Sequence, residues 1–121
     1  MNAEATIETY YDALREGEPL HPFFAADAMV KFGISERLTG YEEIEAGLRE
    51  QTRTTDEWTI ESSRLNVTER DGFAWFSDDV RMAWTGEDGE RHDHETRWSG
   101  VLHRQDDWKF IGMHVSVPSE P

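Results

Sequence analysis

The sequence predicts an α+β domain with N-terminal helices packed on a strongly curved antiparallel sheet. Two observations carry this. Apolar residues recur at helical spacing up to about Arg53 and alternate with period two from Trp58 onward, and turn signals at 71–72, 86–89 and 105–107 divide that second half. Helices first and strands afterwards is the order of a segregated α+β fold. Strands of this length must curl, and helices laid across the concave face would enclose a cavity.

Ala3 to Glu16 sets Ile7, Tyr10, Tyr11 and Leu14 on one helical face, with Asn2 placed to cap the start and Gly17 to end it. Pro19 to Phe24 reads as a short helical turn with Leu20, Phe23 and Phe24 on its apolar side, and Ala28 to Gly33 as a short strand. Thr39-Gly40-Tyr41-Glu42 has the capping-box pattern, and Tyr41, Ile44 and Leu48 follow on one stripe to about Arg53. Trp58 to Glu69 alternates as a strand. Asp71-Gly72 then turns into Phe73–Thr85, Gly86–Gly89 into Glu90–Arg104, and Gln105–Asp107 into Trp108–Val117. No linker or repeat interrupts the 121 residues, so one domain is expected over 1–121, with 118–121 as a frayed tail.

Charge narrows the partners. Asp and Glu number 26 against 12 Lys and Arg, giving a formal net charge of −14, and Lys31 and Lys109 are the only lysines. Self-repulsion of this size is relieved by salt, so a cytoplasm rich in salt is the expected setting. No basic cluster is present to neutralise phosphates, which argues against a nucleic-acid partner. No run approaches the roughly 18 apolar residues of a membrane span, and Met1 leads into a charged helix, so a cytoplasmic protein is expected. The absence of cysteine removes disulfide and thiolate chemistry.

The last third carries the most specific pattern. Arg97-Trp98-Ser99-Gly100-Val101-Leu102, then Asp107-Trp108-Lys109-Phe110-Ile111 and Met113-His114-Val115-Ser116-Val117-Pro118, resembles the closing strand pair of SnoaL-like proteins. The first helix, with Tyr11, Ala13, Leu14 and Gly17, is also similar. The resemblance, to the nuclear-transport-factor-2-like and ketosteroid-isomerase-like superfamily, runs from about Ala3 to Pro118. It implies a conical, cystatin-like roll with a pocket, and a homodimer. It does not imply one activity, since the scaffold hosts isomerases, cyclases, dehydratases and non-catalytic modules.

For a steroid-isomerase type of site, Tyr10 falls where the family's helix tyrosine lies. A carboxylate base is then expected near the end of the first strand, where Val30-Lys31-Phe32-Gly33 offers none. His114 sits in an otherwise apolar strand, where strict alternation puts it with Trp108, Phe110, Gly112 and Ser116. Facing a cavity it would act as acid or base; the competing role is a hydrogen-bonded core histidine. Arg97 needs a partner, either Asp79 in a salt bridge or a ligand's oxygen.

These residues give catalytic candidates His114, Tyr10 and Arg97, with Tyr11, Trp75, Asp79, Trp98, Trp108, Phe110 and Ser116 as ligand-binding candidates. Trp75 and Trp84 point to opposite faces of their strand, so at most one can belong to a given pocket. His92 and His94 imitate the start of a metal motif but lack a convincing third ligand, so no metal and no cofactor are expected. The resulting reading is a small-molecule-binding domain, with cofactor-independent isomerase, cyclase or dehydratase chemistry in prospect. A non-catalytic binding or assembly module is the first alternative, and a metal enzyme at His92/His94 the second.

Overall fold

In the computed structural model, which describes residues 1–118, helix α1 (Ala3–Glu16) opens the chain and a 3₁₀ turn (His21–Phe23) follows it. Strands β1 (Val30–Gly33) and β2 (Glu36–Thr39) precede helix α2 (Gly40–Thr54). Five strands complete the fold: β3 (Asp56–Ser62), β4 (Asn66–Arg70), β5 (Phe73–Thr85), β6 (Arg91–Arg104) and β7 (Trp108–Ser116). The expected tail at 118–121 lies outside the described residues apart from Pro118.

Local chemistry sets the helix ends. The Asn2 side chain accepts from the Ala5 N–H at 2.7 Å, and Gly17 closes α1 at φ 69°, a left-handed conformation that glycine adopts without a Cβ penalty. At the start of α2 the Thr39 side chain makes no cap bond. The reciprocal half of the cap is present instead, with the Thr39 N–H donating to Glu43 Oε1 at 2.9 Å.

The seven strands form one sheet in the order β2-β1-β7-β6-β5-β3, with β4 also paired to β5. The sheet is mixed rather than wholly antiparallel, because β1 runs parallel to β7. The long β5–β6 hairpin is in register from Phe73↔His103 to Thr85↔Arg91. Along β5, Ala74, Phe76, Asp78, Val80 and Met82 are buried, while Phe73, Trp75 and Ser77 are exposed. The buried face carries the helices. Tyr10 meets Phe110 and Trp98 edge-on, with ring centroids at 5.2 and 6.2 Å, and Tyr11 meets Trp98 at 5.3 Å. Helix α2 docks Ile44 and Leu48, and Gly47 lets it lie against β2: a Cβ there would come within 2.5 Å of Leu38 Cδ1.

Three further departures from the sequence reading stand out. The strand read from Trp58 to Glu69 is two strands, because Asp78 reaches out of β5 into the gap between them. Its carboxylate accepts from the Ser62 hydroxyl at 2.5 Å and from the Arg64 N–H at 3.0 Å, bonds a continuous strand would not leave free. A strand at Glu36–Thr39, unread in the sequence, returns along β1. Third, strict alternation fails in β7. Leu102 pairs with Phe110 and Val101 with Gly112, so Ile111 is an extra residue in a β-bulge. Trp108 and Phe110 point inward as expected, but beyond the bulge Met113 and Val115 are buried and His114 is turned outward. Gly100 accommodates the bulge, since a Cβ there would meet the Gly112 carbonyl oxygen at 2.6 Å.

Candidate functional site

Between α1, the β1–β2 hairpin, the end of α2 and the inner face of β5–β7 lies a cavity of about 130 Å³. Its walls are apolar: Leu14, Ile34, Met82 and Val115, with Trp58, Trp84 and Trp98 supplying flat surfaces. The Trp98 and Trp58 ring N–H groups are already satisfied, by Thr96 and Thr55 hydroxyls at 2.9 Å. These indoles therefore offer ring faces rather than hydrogen bonds.

The cavity's polar side is made by Tyr10, Lys31, Glu36 and Gln51. Tyr10 comes from the buried stripe of α1 and is 1% exposed. Its hydroxyl makes no hydrogen bond to the described residues, yet none of their fully buried side-chain polar atoms lacks a partner. The oxygen is therefore the part of the ring that opens to the cavity. Burial, reinforced by the nearby Glu36 carboxylate, raises the Tyr10 hydroxyl well above the usual tyrosine range and keeps it a donor. Lys31 Nζ donates to Glu36 Oε1 at 2.5 Å, with the lysine side chain 6% and the glutamate 35% exposed. Glu36 reaches this position by lying across Gly33, where a Cβ would sit 2.5 Å from Oε1.

At the rim, Trp84 is stacked between Trp58, at 5.0 Å, and His92, at 5.1 Å, and His94 lies tilted at 5.6 Å. The two histidines are half-buried against an aromatic wall. Among the described residues no group of three His, Cys, Asp or Glu side chains could hold a metal ion.

The sequence-derived candidates divide between two faces. Tyr10 and Trp98 line the cavity. Tyr11 lies beneath it and donates to Asp78 at 2.8 Å, while Trp108 and Phe110 are core. His114, Arg97, Asp79 and Ser116 gather on the opposite, outer face, in a groove of about 530 Å³. The expectation that His114 lies on one face with Trp108 and Phe110 is thus corrected, and the bulge is the reason. Arg97 stands opposite Asp79 in register, but Asp79 is paired with Arg64 at 3.5 Å. Trp75 is 45% exposed on that outer face.

Glu36 is the residue that sequence reasoning missed. A carboxylate does share the cavity with the tyrosine, from β2 rather than from the end of β1. Its signal was the alternation of Lys31 and Gly33 continuing through Ile34-Ser35 into Glu36 and Leu38. The turn is inconspicuous because Ser35, at φ 62°, takes the left-handed position where glycine or asparagine usually marks a hairpin.

This cone with its inner cavity is the architecture of the SnoaL-like domain, and residues 3–120 match that family: the chain belongs to it. Solved structures agree in fold. A protein of the NTF2-like family from Streptomyces avermitilis, provisionally named a dehydratase, superposes with a TM-score of 0.87 at 15% identity, over 97% of this chain and 94% of that one. A ketosteroid isomerase-like protein from Erwinia carotovora atroseptica gives 0.79 at 15% identity, over 97% and 94%. A protein with a cystatin-like fold from Caulobacter vibrioides gives 0.80 at 17%, over 96% and 87%. At these identities the likeness is one of fold alone. No curated protein matches the chain in sequence.

Proposed function

We propose that the chain binds a small organic molecule of about one ring in the inner cavity and moves a proton on it without a cofactor, as in isomerisation or elimination. The observation that carries this reading is the Tyr10 hydroxyl, without a hydrogen-bond partner among the described residues and buried near the Glu36 carboxylate at the polar end of an aromatic cavity. The two groups divide the work. Tyr10 donates to an oxygen on the substrate and stabilises charge developing there, while Glu36 accepts a proton from carbon and returns it to another position. Indole faces on the remaining walls hold a flat or chair-shaped ring and exclude water.

Phenol tests the binding half and cyclohex-3-enone the chemical half. Phenol should shift the indole N–H resonances of Trp58, Trp84 and Trp98, and Tyr10→Phe should weaken it about 10-fold, the worth of one hydrogen bond. Conversion of cyclohex-3-enone to the conjugated enone, followed by absorbance, should fall about 100-fold or more in Glu36→Gln. His114→Ala should change neither. Phenol shifts confined to the outer groove, or turnover unaffected by Glu36→Gln, would refute the assignment.

The quaternary and environmental parts of the reading rest on the outer surface. Phe73, Trp75 and Val101 are exposed together on the sheet's outer face, which supports a homodimer through that face. The surplus of carboxylates supports a protein working in a cytoplasm rich in salt.

A further inference from the structure

We propose that the cavity takes a small ring compound bearing a carboxylate, and that Glu36 occupies the place of that carboxylate on Lys31 until the ligand arrives. The inference rests on the cavity being the working site and adds the class of molecule that fills it.

Lys31 is the only buried cation among the described residues, in a chain with just two lysines. A neutral ring would need no such group, because Tyr10 alone can serve a neutral oxygen. A charge taken out of water is costly unless it is paired. An ammonium carries three N–H donors, and the one hydrogen bond Lys31 makes to a described residue is to Glu36. Lys31 and Tyr10 belong to the same cavity lining. Together they offer a carboxylate one charged and one neutral donor, the pairing that makes short charge-assisted hydrogen bonds.

Glu36 is placed to give way. It sits on β2, the edge strand, which pairs only with β1, and its side chain is already about a third exposed at the cavity mouth. Its hold on Lys31 depends on crossing Gly33 rather than on core packing. Exchange of one carboxylate for another leaves no buried charge unpaired at either end of the process. Once released, Glu36 is free to accept a proton from the bound ligand. The cavity volume, about 130 Å³, is close to the roughly 150 Å³ of an engineered apolar cavity that holds benzene, so benzoate is a suitable probe.

Calorimetric titration with benzoate and with benzyl alcohol separates charge from ring. Benzoate should bind the wild-type protein about 10-fold more tightly than benzyl alcohol. Glu36→Gln should strengthen benzoate a further 10-fold or so, by removing the competing carboxylate, while leaving benzyl alcohol within about 2-fold. Because Lys31→Met alone leaves Glu36 stranded, the double variant Lys31→Met with Glu36→Leu is the control that keeps the fold. It should retain benzyl alcohol and lose the preference for benzoate. Benzyl alcohol binding with no preference for benzoate, in both wild type and Glu36→Gln, would overturn this proposal and leave the cavity reading intact. Failure of both compounds to bind the wild-type protein would bring down both.

Discussion

The Tyr11 hydroxyl donates to Asp78 Oδ2 at 2.8 Å across the interface between α1 and β5. Asp78 is 3% exposed, and its carboxylate is held by three donors: Tyr11, the Ser62 hydroxyl and the Arg64 N–H. That set satisfies a buried charge and also fixes where β3 ends and β4 begins. The helix that carries Tyr10 is thereby tied to the sheet one residue away from the cavity. Tyr11→Phe should cost about 1–3 kcal/mol, the usual loss when a buried acceptor is deprived of a donor. Urea unfolding measures it, and an unchanged midpoint would show that the bond contributes nothing net.

Alkaline pH should destabilise the protein through the same pair of tyrosines. Burial raises both hydroxyls above the ordinary value of 10.0, with Glu36 adding to the effect at Tyr10 and Asp78 at Tyr11. Below about pH 10 both are protonated whether the chain is folded or not, and the contribution is fully present. Above it the unfolded chain releases protons that the folded chain keeps, so stability falls as pH rises. Denaturation midpoints measured from pH 8 to 11.5 should drop steeply past pH 10. Tyr10→Phe or Tyr11→Phe should each flatten the drop, and a wild-type profile level through pH 11 would contradict the burial argument.

Added KCl should raise the melting temperature. The formal charge of −14 is spread over a surface whose ion pairs are mostly exposed, such as Arg53 with Glu50 and Arg81 with Asp93. Pairs of this kind contribute little, and salt screens them, but it screens the much larger self-repulsion as well. The net effect is stabilising. A melting series from low to molar KCl that is flat or falling would count against it.

In molar KCl the protein should sediment as a dimer at micromolar concentration. The outer face places Trp75 opposite Val101 in the sheet register and Phe73 opposite His103, with the latter rings stacked at 4.5 Å. Burying about 800 Å² per subunit over this face would make an interface of ordinary size. Trp75→Glu should shift the protein to monomer without loss of fold, and a wild-type monomer under these conditions would exclude the interface.

The helices and the hairpin turns were legible because helical periodicity and turn residues mark them. What escaped the sequence was local departure from a period. The extra residue at Ile111 reverses the parity of β7, so His114 faces outward although the alternation beginning at Trp108 places it inside. The turn at Ile34-Ser35 lacks the glycine or asparagine that announces a hairpin, which hid β2 and with it Glu36. Tyr10 and Trp98, two of the candidates named from the sequence, both line the cavity. Their chemistry was incomplete without a carboxylate delivered by an element only four residues long.

Gly33→Ala tests how closely the cavity depends on that element. Gly33 lies opposite Glu36 in the β1–β2 register, and a Cβ there would stand 2.5 Å from Oε1, 2.8 Å from Cγ and 2.9 Å from Cδ of the glutamate. The backbone at Gly33 is ordinary extended strand, so alanine brings no conformational strain, and the effect is confined to the side chain it displaces. Glu36 is then pushed off Lys31, which stays buried beside the cavity. Stability should fall by about 1–3 kcal/mol, the range for a buried group deprived of its partner, moderated because Glu36 is partly solvated already. At the same time benzoate should bind more tightly, as expected for Glu36→Gln, because both changes vacate the same ammonium. Urea unfolding and calorimetry on one variant therefore move in opposite directions. Loss of stability with weaker benzoate binding would mean that Gly33 supports the cavity wall rather than the placement of Glu36.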